Sequence, residues 1–198
     1  LLRQVDQLLS RNRIFMDRMC GVACISAEEA ISYGLTGPLL RASGVNYDVR
    51  KKFPYSSYED FEFEVPLGDK GDNYDRFIVR FQEIEQSLRI CEQAVENMPS
   101  GPINIDDPHI VLPPKEEVYS TPEGQIKHFE IIIKGIQPPV GDVYFPVEGG
   151  NGELAFYIVS DGSGCAYRVH CRAPSFLAMG IMAKTLIGAN MADIIPTF

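Results

Sequence analysis

The amino-acid sequence predicts an α+β fold: mainly a helical bundle around one long central helix at about residues 73–98, with a small antiparallel β-meander at about residues 142–173. Three observations support this fold class. Apolar residues in the central stretch repeat in alternating steps of four and three, which is typical of a helix packed against other helices. Near the C-terminal end, three short β-type runs are joined by glycine-containing turns. A capping box marks another helix near residue 26.

The composition limits the kinds of protein that this chain can be. Its 198 residues are 45% hydrophobic and 23% charged, as in ordinary globular proteins. No apolar run reaches the roughly 18 residues of a membrane span. The net charge of −9 argues against nucleic acid as the main partner, because phosphate binding needs a basic surplus. Five cysteines without a CxxC pair fit free thiols in a reducing compartment and offer no obvious zinc or iron–sulfur site.

The N-terminal part contains two predicted helices. The opening segment, LLRQVDQLLS, has the pattern of the last turns of an amphipathic helix, and residues 11–25 are predicted to form a loop. Ser26 and Glu29 form a capping box, in which the hydroxyl and the carboxylate each accept a backbone N–H at the start of a helix. Gly34 provides the left-handed residue that ends this short helix.

Residues before the central helix carry a candidate functional group. Arg41 lies between two glycine turns, in GPLLRASG, where an arginine is more often a structural ion pair or a carbonyl brace than an active-site group. Residues 51–58 are predicted to be loop-like. Alternating apolar and acidic residues at 59–65 predict a short edge strand, with Phe61 and Phe63 on one side.

The central helix is predicted to begin after Asp72, whose carboxylate can cap the first turn, and to end before Pro99. Its apolar stripe consists of Phe77, Phe81, Ile84, Leu88, Cys91, Val95 and Met98. Further apolar residues widen this stripe, which favours a position inside a bundle. The opposite face should be exposed to solvent; it carries Gln82, Glu83, Gln86, Arg89, Gln93 and Glu96.

The C-terminal half changes from helical to β-type patterns. Residues 98–117 are predicted to be irregular, and Thr121 followed by Pro122 predicts the start of another helix. The runs VYFPVE, ELAFYIVSDG and CAYRVHCRA predict the meander, and Pro174 ends it. Ser175 could cap a C-terminal helix at 175–194.

Short-range motifs reveal no catalytic machinery. The three histidines are scattered and share no metal-binding spacing; they are His109, His128 and His170. His128 lies beside an apolar helix face and is best interpreted as an interior or boundary imidazole. The glycine run in VEGGNGELAFYIV precedes a strand, so it predicts a hairpin turn and not a dinucleotide site.

The order of four longer motifs resembles the 49-kDa-type (D-type) subunit of bacterial NADH-quinone oxidoreductase, respiratory complex I. The motifs are ISAEEAISYGLTGPLLRASGVNYDVRK, GDNYDRFIVRFQEIEQSLRICEQ, FYIVSDGSGCAYRVHCRAPSF and NMADIIPTF, and they extend over essentially the whole chain. That family is similar to the large subunit of nickel–iron hydrogenase. The resemblance implies a single partial domain over 1–198, with a helical part at 1–140, a β-meander at 141–173 and the C-terminal helix.

The resemblance also implies a function. Such a subunit belongs to the peripheral arm of a proton-translocating NADH:quinone oxidoreductase, and it helps form the quinone-reduction cavity beside the terminal iron–sulfur cluster of a partner subunit. It ligates no cofactor itself; NADH, FMN and the iron–sulfur clusters belong to partner subunits, and quinone is the substrate. It is held at the cytoplasmic face of the membrane through its neighbours. The 198-residue segment alone is expected to be inactive.

Three residues are candidates for the quinone cavity or for the surface that faces the cluster. In the family, the hairpin there reads EAP-(Lys/Arg)-GE, whereas this chain has the segment 148–153, EGGNGE, with Asn151 in place of the basic residue. Arg41 and Arg172, the latter in HCRAPSF, match the family motifs. For both arginines, bracing the fold is the alternative role.

Two other functions remain open at this stage. One is the large subunit of a related membrane-bound hydrogenase, or of an oxidoreductase linked to ferredoxin or deazaflavin. The other is a non-catalytic scaffold. The opening without methionine and the apolar closing tail predict a segment of a larger protein, and CxxC pairs near the ends of the full gene would favour the hydrogenase-like alternative.

Overall fold

The computed structural model describes residues 2–197. The helices are α1 (Leu2–Leu9), α2 (Arg13–Met19), α3 (Ala27–Ser32), α4 (Pro38–Ala42), α5 (Val49–Lys52), α6 (Asn73–Glu96), α7 (Lys115–Ser120), α8 (Pro122–Lys134), α9 (Pro174–Thr185) and α10 (Ile194–Thr197). The strands are β1 (Gly141–Gly149), β2 (Gly152–Ser160) and β3 (Arg168–Arg172), and short 3-10 helices lie at Tyr58–Asp60 and Met191–Asp193. The mixed helix-and-sheet class is the one that the sequence predicts.

The chain divides into two compact units. The first comprises the residues up to Asn97, Pro146–Ala155 and the residues from Arg172 onward. The second comprises Met98–Phe145 and Phe156–Cys171. The first unit has an apolar core formed by residues of α3, α4 and α9 and the loops beside them: Ile25, Ala30, Leu35, Leu39, Leu40, Ala178 and Ile181. This unit also holds the turn between β1 and β2.

Local capping explains how the early helices begin. The amide of Glu29 donates to Ser26 Oγ and the amide of Ser26 donates to Glu29 Oε2, both at 3.3 Å, so the predicted capping box is confirmed. The predicted loop at 11–25 is wrong over α2. There the side chain of Asn12 accepts the amide of Ile14 at 2.9 Å and caps the helix.

Helix α6 begins as predicted, because the carboxylate of Asp72 accepts the amide of Asp75 at 2.9 Å. Its first turns are buried, whereas the C-terminal half of its apolar stripe is open: Leu88 is 50% exposed and Val95 is 70% exposed. The C-terminal half of the heptad stripe is therefore an open apolar face in the described residues, whereas Phe77 in its first half packs against Phe15 of α2.

The predicted polar face of α6 is not simply solvated. The side-chain amide of Gln93 makes two hydrogen bonds with the backbone of Glu62: its Oε1 accepts from the N–H at 2.9 Å, and its Nε2 donates to the carbonyl oxygen at 2.8 Å. Gln86 Oε1 accepts a hydrogen bond from the backbone N–H of Glu64 at 3.0 Å. The backbone of residues 59–65 thus forms hydrogen bonds with side chains of α6 and not with the backbone of a neighbouring strand. The predicted edge strand at 59–65 is therefore wrong. The segment is extended and bound to the helix by side chains.

The second unit contains α7, α8 and the outer parts of the strands. Thr121 caps α8, since its Oγ1 accepts the amide of Gly124 at 3.1 Å, as the Thr-Pro pair predicts. The sheet is antiparallel with the order β1-β2-β3, which confirms the meander. Within residues 2–197 we find no helix with the length and apolar character needed to cross a membrane.

The C-terminal helix differs from the prediction in its start and its continuity. Ala173 is the N-cap and Pro174 is the first helical residue, so Ser175 lies inside the first turn and does not cap it. Helix α9 ends at Thr185, and a short 3-10 helix leads into α10.

Candidate functional site

The site is built around the hairpin turn at Gly150 and Asn151, which joins β1 to β2. Backbone packing positions its second half. Gly152 lies so close to Thr36 that a Cβ added to it would be 2.7 Å from Thr36 Oγ1. The same Oγ1 accepts the amide of Glu153 at 3.0 Å. The turn is therefore fixed against the segment that leads into α4.

Arg41 lies beside the first half of the turn and is almost fully buried, with 1% of its surface exposed. Its Nε donates to Glu83 Oε1 on α6 at 2.6 Å, and its Nη1 donates to Glu148 Oε1 at 2.9 Å. Nη1 also donates to the carbonyl oxygen of Tyr47 at 3.0 Å. One guanidinium thus connects α4, α6 and the base of the turn.

Asp48 and Arg50 extend this group. Arg50 binds Asp48 with Nε at 3.0 Å and with Nη2 at 2.7 Å, and Arg41 Nη1 lies 3.8 Å from the same carboxylate. We call Arg41, Asp48, Arg50, Glu83 and Glu148 the ionic cluster. Burying five charges costs hydration free energy, which is recovered only when each charge is paired. The pairing connects α4, α5 and α6 with the base of the turn.

The pKa values of two carboxylates in the ionic cluster shift in opposite directions. Burial raises the pKa of Asp48, but the hydrogen bonds and charge of Arg50 outweigh it, so the pKa of Asp48 lies below 3.8. For Glu148 burial dominates, and the attraction of Arg41 does not compensate for it, so the pKa of Glu148 lies above 4.5. The charge of Asp48 adds to the increase at Glu148.

This opposition predicts two different pH dependences. A carboxylate with a depressed pKa stabilises the fold above its unfolded pKa, so Asp48→Asn should cost about 3 kcal/mol near neutral pH. This cost should disappear as the pH falls below 3.8. A carboxyl group with a raised pKa destabilises the fold when it ionises. As the pH rises above 4.5, the parent should therefore lose stability relative to Glu148→Gln, which cannot ionise there. Urea denaturation of the full-length subunit between about pH 3 and pH 8 measures both.

Glu123→Gln is the matched control for these variants, because Glu123 lies on the exposed first turn of α8. Its stability curve should stay parallel to that of the parent. Parallel curves for Asp48→Asn or Glu148→Gln would show that burial and pairing do not govern the carboxylate concerned.

Arg172 braces the other side of the turn. Its Nη1 donates to the carbonyl oxygen of Glu153 at 2.6 Å and its Nη2 donates to that of Gly34 at 2.8 Å. The Glu153 carboxylate accepts the hydroxyl of Tyr47 at 2.7 Å. Arg172 therefore connects the end of β3 with β2 and with Gly34, in the loop that follows α3.

Asn151 is exposed at the tip of the turn. Its Oδ1 accepts hydrogen bonds from Nη1 and Nη2 of Arg80, each at 3.3 Å. Its Nδ2 donates a hydrogen bond to Ser175 Oγ at 3.3 Å. Arg80 Nη1 also donates to the carbonyl oxygen of Gly150 at 3.0 Å. Burial lowers the pKa of Arg80, while the charge of Glu83 opposes this decrease.

The structure thus brings the three candidate residues to one turn but in different settings. Arg41 and Arg172 make buried or half-buried contacts on either side of it, and Asn151 lies at its exposed tip. Sequence reasoning did not single out Arg80, and it assigned Glu83 to solvent. Arg80 and Glu83 lie one helical turn apart on α6, and this spacing was the only sequence signal that the two charged side chains share one face of the helix. Among residues 2–197, no group of three or more His, Cys, Asp or Glu side chains is arranged to hold a metal ion.

Comparison with known proteins gives one consistent family. Residues 1–198 match the family model described as respiratory-chain NADH dehydrogenase, 49 Kd subunit. A protein of Myxococcus xanthus, named as the D-type subunit of NADH-quinone oxidoreductase, is 52% identical over 198 residues, which cover 100% of this chain and 48% of the relative. A protein of Sorangium cellulosum, named as the first of its D-type subunits of the same enzyme, is 54% identical over 199 residues, covering 100% and 49%. The chain spans about half the length of these curated relatives.

Proposed function

Because the chain belongs to the family of the 49-kDa subunit of respiratory-chain NADH dehydrogenase, we propose that its full-length protein is a subunit of an NADH:quinone oxidoreductase. In this proposal the hairpin turn at Gly150 and Asn151 forms part of the wall of the quinone-reduction cavity. NADH, FMN and the iron–sulfur clusters belong to other subunits. This chain supplies the shape and polarity of the place where quinone accepts electrons.

The observation that carries this proposal is the fixation of the turn from both sides. Arg41 holds Glu148 at 2.9 Å on one side, and Arg172 holds the carbonyl oxygen of Glu153 at 2.6 Å on the other. A binding wall must hold its groups to within about 0.5 Å, which requires rigid support of this kind. Buried ion pairs are costly, so their concentration at one turn favours a role in positioning over a role in stability alone.

The family also supports a set of partners and a location. The expected neighbours are the peripheral-arm subunits, including the one that carries the terminal iron–sulfur cluster. Contact with the membrane would be made through these neighbours, at its cytoplasmic face. The net charge of −9 fits protein partners better than nucleic acid.

Labelling with a photoreactive quinone tests the proposal. The full-length subunit is incorporated into the assembled complex, the complex is irradiated with an azidoquinone, and the labelled peptides are identified by mass spectrometry. We expect label in the peptide that contains Glu148–Glu153, and we expect excess unlabelled quinone to remove it. The peptide that contains Lys115–Ser120, in α7, is the internal control and should stay unlabelled.

Activity of the same preparation provides the second half of the test. NADH should reduce quinone in the complete complex, and omission of the subunit should abolish quinone reduction. A complex that reduces quinone but carries no competable label in Glu148–Glu153 contradicts the placement of the turn. A complex that accepts electrons from ferredoxin and not from NADH contradicts the proposed enzyme.

A further inference from the structure

Four residues in the C-terminal half of α6 form an open apolar stripe. Ile84, Leu88, Cys91 and Val95 are all exposed. They follow one another in steps of four, three and four, so they lie along one side of the helix over about 16 Å. The stripe continues from the part of α6 that packs against α2. We call these four residues the open stripe.

The opposite side of α6 is the covered one. Gln86 and Gln93 lie there, and their side chains bind the backbone of the extended segment at Glu64 and Glu62. A helix at a protein surface normally turns its polar side to water and buries its apolar side. Within residues 2–197, the C-terminal half of α6 does the reverse, which indicates that a further element covers the open stripe.

The residues beside the open stripe define the chemistry of that element. One flank carries Glu85 and Glu92, which are exposed and have no ion pair among the described residues. The other flank carries Ser87 and Ala94, whose small side chains let a neighbouring backbone approach. An apolar repeat of this period fits another α-helix, and the two carboxylates favour lysine or arginine at the facing positions of that helix.

A membrane surface and a second copy of the chain fit these flanks less well. Helices that lie on membranes carry lysine and arginine beside their apolar face, whereas carboxylates flank the open stripe and the net charge of the chain is −9. A second copy would offer Glu85 and Glu92 only glutamate, serine or alanine, so both carboxylates would stay without a cation. The flanks therefore favour a different helix, one with basic residues.

The relatives of this chain contain enough further sequence to supply such a helix. The matched segment covers only 48% and 49% of the two relatives compared above. A segment of the same chain is held at a high effective concentration, so its docking costs less entropy than the docking of a separate protein. We propose that a helix from the part of the full-length chain outside residues 1–198 covers the open stripe. It carries apolar residues in a heptad repeat and lysine or arginine opposite Glu85 and Glu92.

Photocrosslinking in the full-length subunit, purified without other subunits, tests this proposal. Benzoylphenylalanine replaces Leu88 in the open stripe, and mass spectrometry identifies the crosslinked peptide after irradiation. We expect a peptide from outside residues 1–198 that has lysine or arginine beside an apolar repeat. The same amino acid in place of Arg89 is the matched control, because Arg89 lies 3.5 Å from Glu62. This control should crosslink to the segment 59–65.

Other products would identify a different occupant. A mixture of ¹⁴N- and ¹⁵N-labelled subunits separates contacts within one chain from contacts between copies. Crosslinks from position 88 to a second copy, or to a peptide within residues 1–198, overturn the proposal. If position 88 reaches another subunit in the assembled complex and nothing in the isolated subunit, a partner protein covers the open stripe, which also overturns it. So does the absence of any product at position 88 when the control product forms.

Charge reversal tests the basic flank of the covering helix. In the double variant Glu85→Lys, Glu92→Lys, two attractive contacts become repulsive. The unfolding equilibrium constant of the full-length subunit, measured by urea denaturation, should therefore rise about fivefold, and less at high salt. Glu96→Lys is the control, because Glu96 is exposed on α6 but lies on neither flank of the open stripe. If the double variant behaves like Glu96→Lys, the covering helix has no basic flank and the proposal is overturned.

Discussion

Arg41→Met is expected to lower the free energy of unfolding by about 3–5 kcal/mol. The variant leaves Glu83 and Glu148 without the cation that lies 2.6 and 2.9 Å from them. The side chain of Glu148 is only 5% exposed, so water cannot replace the lost partner. Urea denaturation of the full-length subunit at neutral pH measures this loss. Arg41→Lys should lose less, because it keeps the charge but not the forked geometry that reaches both carboxylates.

Arg13→Met is the control for this prediction, because it removes the same kind of side chain from an exposed pair. Arg13 lies 3.8 Å from Asp17, and both side chains are more than two-thirds exposed, at 93% and 71%. Such pairs contribute about 0–1 kcal/mol. Equal losses for Arg13→Met and Arg41→Met would mean that the ionic cluster stabilises the fold no more than a surface pair does.

The sequence predicted those features that depend on neighbours within one turn of the chain. The N-caps of α3, α6 and α8 are Ser26, Asp72 and Thr121, and each accepts the amide that its motif predicts. Each contact spans three residues, so the motif contains both partners. Asn12 offered the same signal for α2, but that helix has only seven residues and no apolar repeat that would have drawn attention to it.

The candidate site depends on partners that are distant in the sequence. Arg41 and Glu148 are separated by 107 positions, and Arg80 and Asn151 by 71. No local pattern reveals such pairs. The polarity of a helix face also does not distinguish solvent from a buried ionic cluster, because charged side chains suit both. Glu83 was therefore assigned to solvent, although its carboxylate lies 2.6 Å from Arg41.

A resemblance to a family could identify the turn but not its contacts. The family pattern drew attention to Asn151 because it differs from a basic residue. The structure adds that Arg80 places a guanidinium against that asparagine. A lysine or arginine at position 151 would face Arg80 as a like charge, which is unfavourable at this distance. The neutral Asn151 therefore avoids repulsion with Arg80 and accepts hydrogen bonds from it.

Gly152→Ala is expected to displace the turn, and Gly37→Ala should have the same effect from the other side of the contact. A Cβ on Gly37 would lie 2.3 Å from Gly152 Cα, and a Cβ on Gly152 would lie 2.8 Å from the carbonyl carbon of Thr36. Both obstacles are backbone atoms, which cannot move aside as a side chain can. Both glycines also have positive φ, 70° and 127°. Such strain costs about 1–3 kcal/mol, and overpacking adds about 1–3 kcal/mol.

Urea denaturation measures the loss of stability, and hydrogen exchange at the amide of Glu153 measures the displacement. That amide donates to Thr36 Oγ1 at 3.0 Å, so it should exchange faster when the turn moves. Gly150→Ala is the control within the same turn, because no atom lies within 4 Å of its added Cβ. It should stay within about 0.5 kcal/mol of the parent. If Gly152→Ala behaves like Gly150→Ala, close backbone packing does not position the turn, and the side-chain contacts of Arg41 and Arg172 must hold it in place.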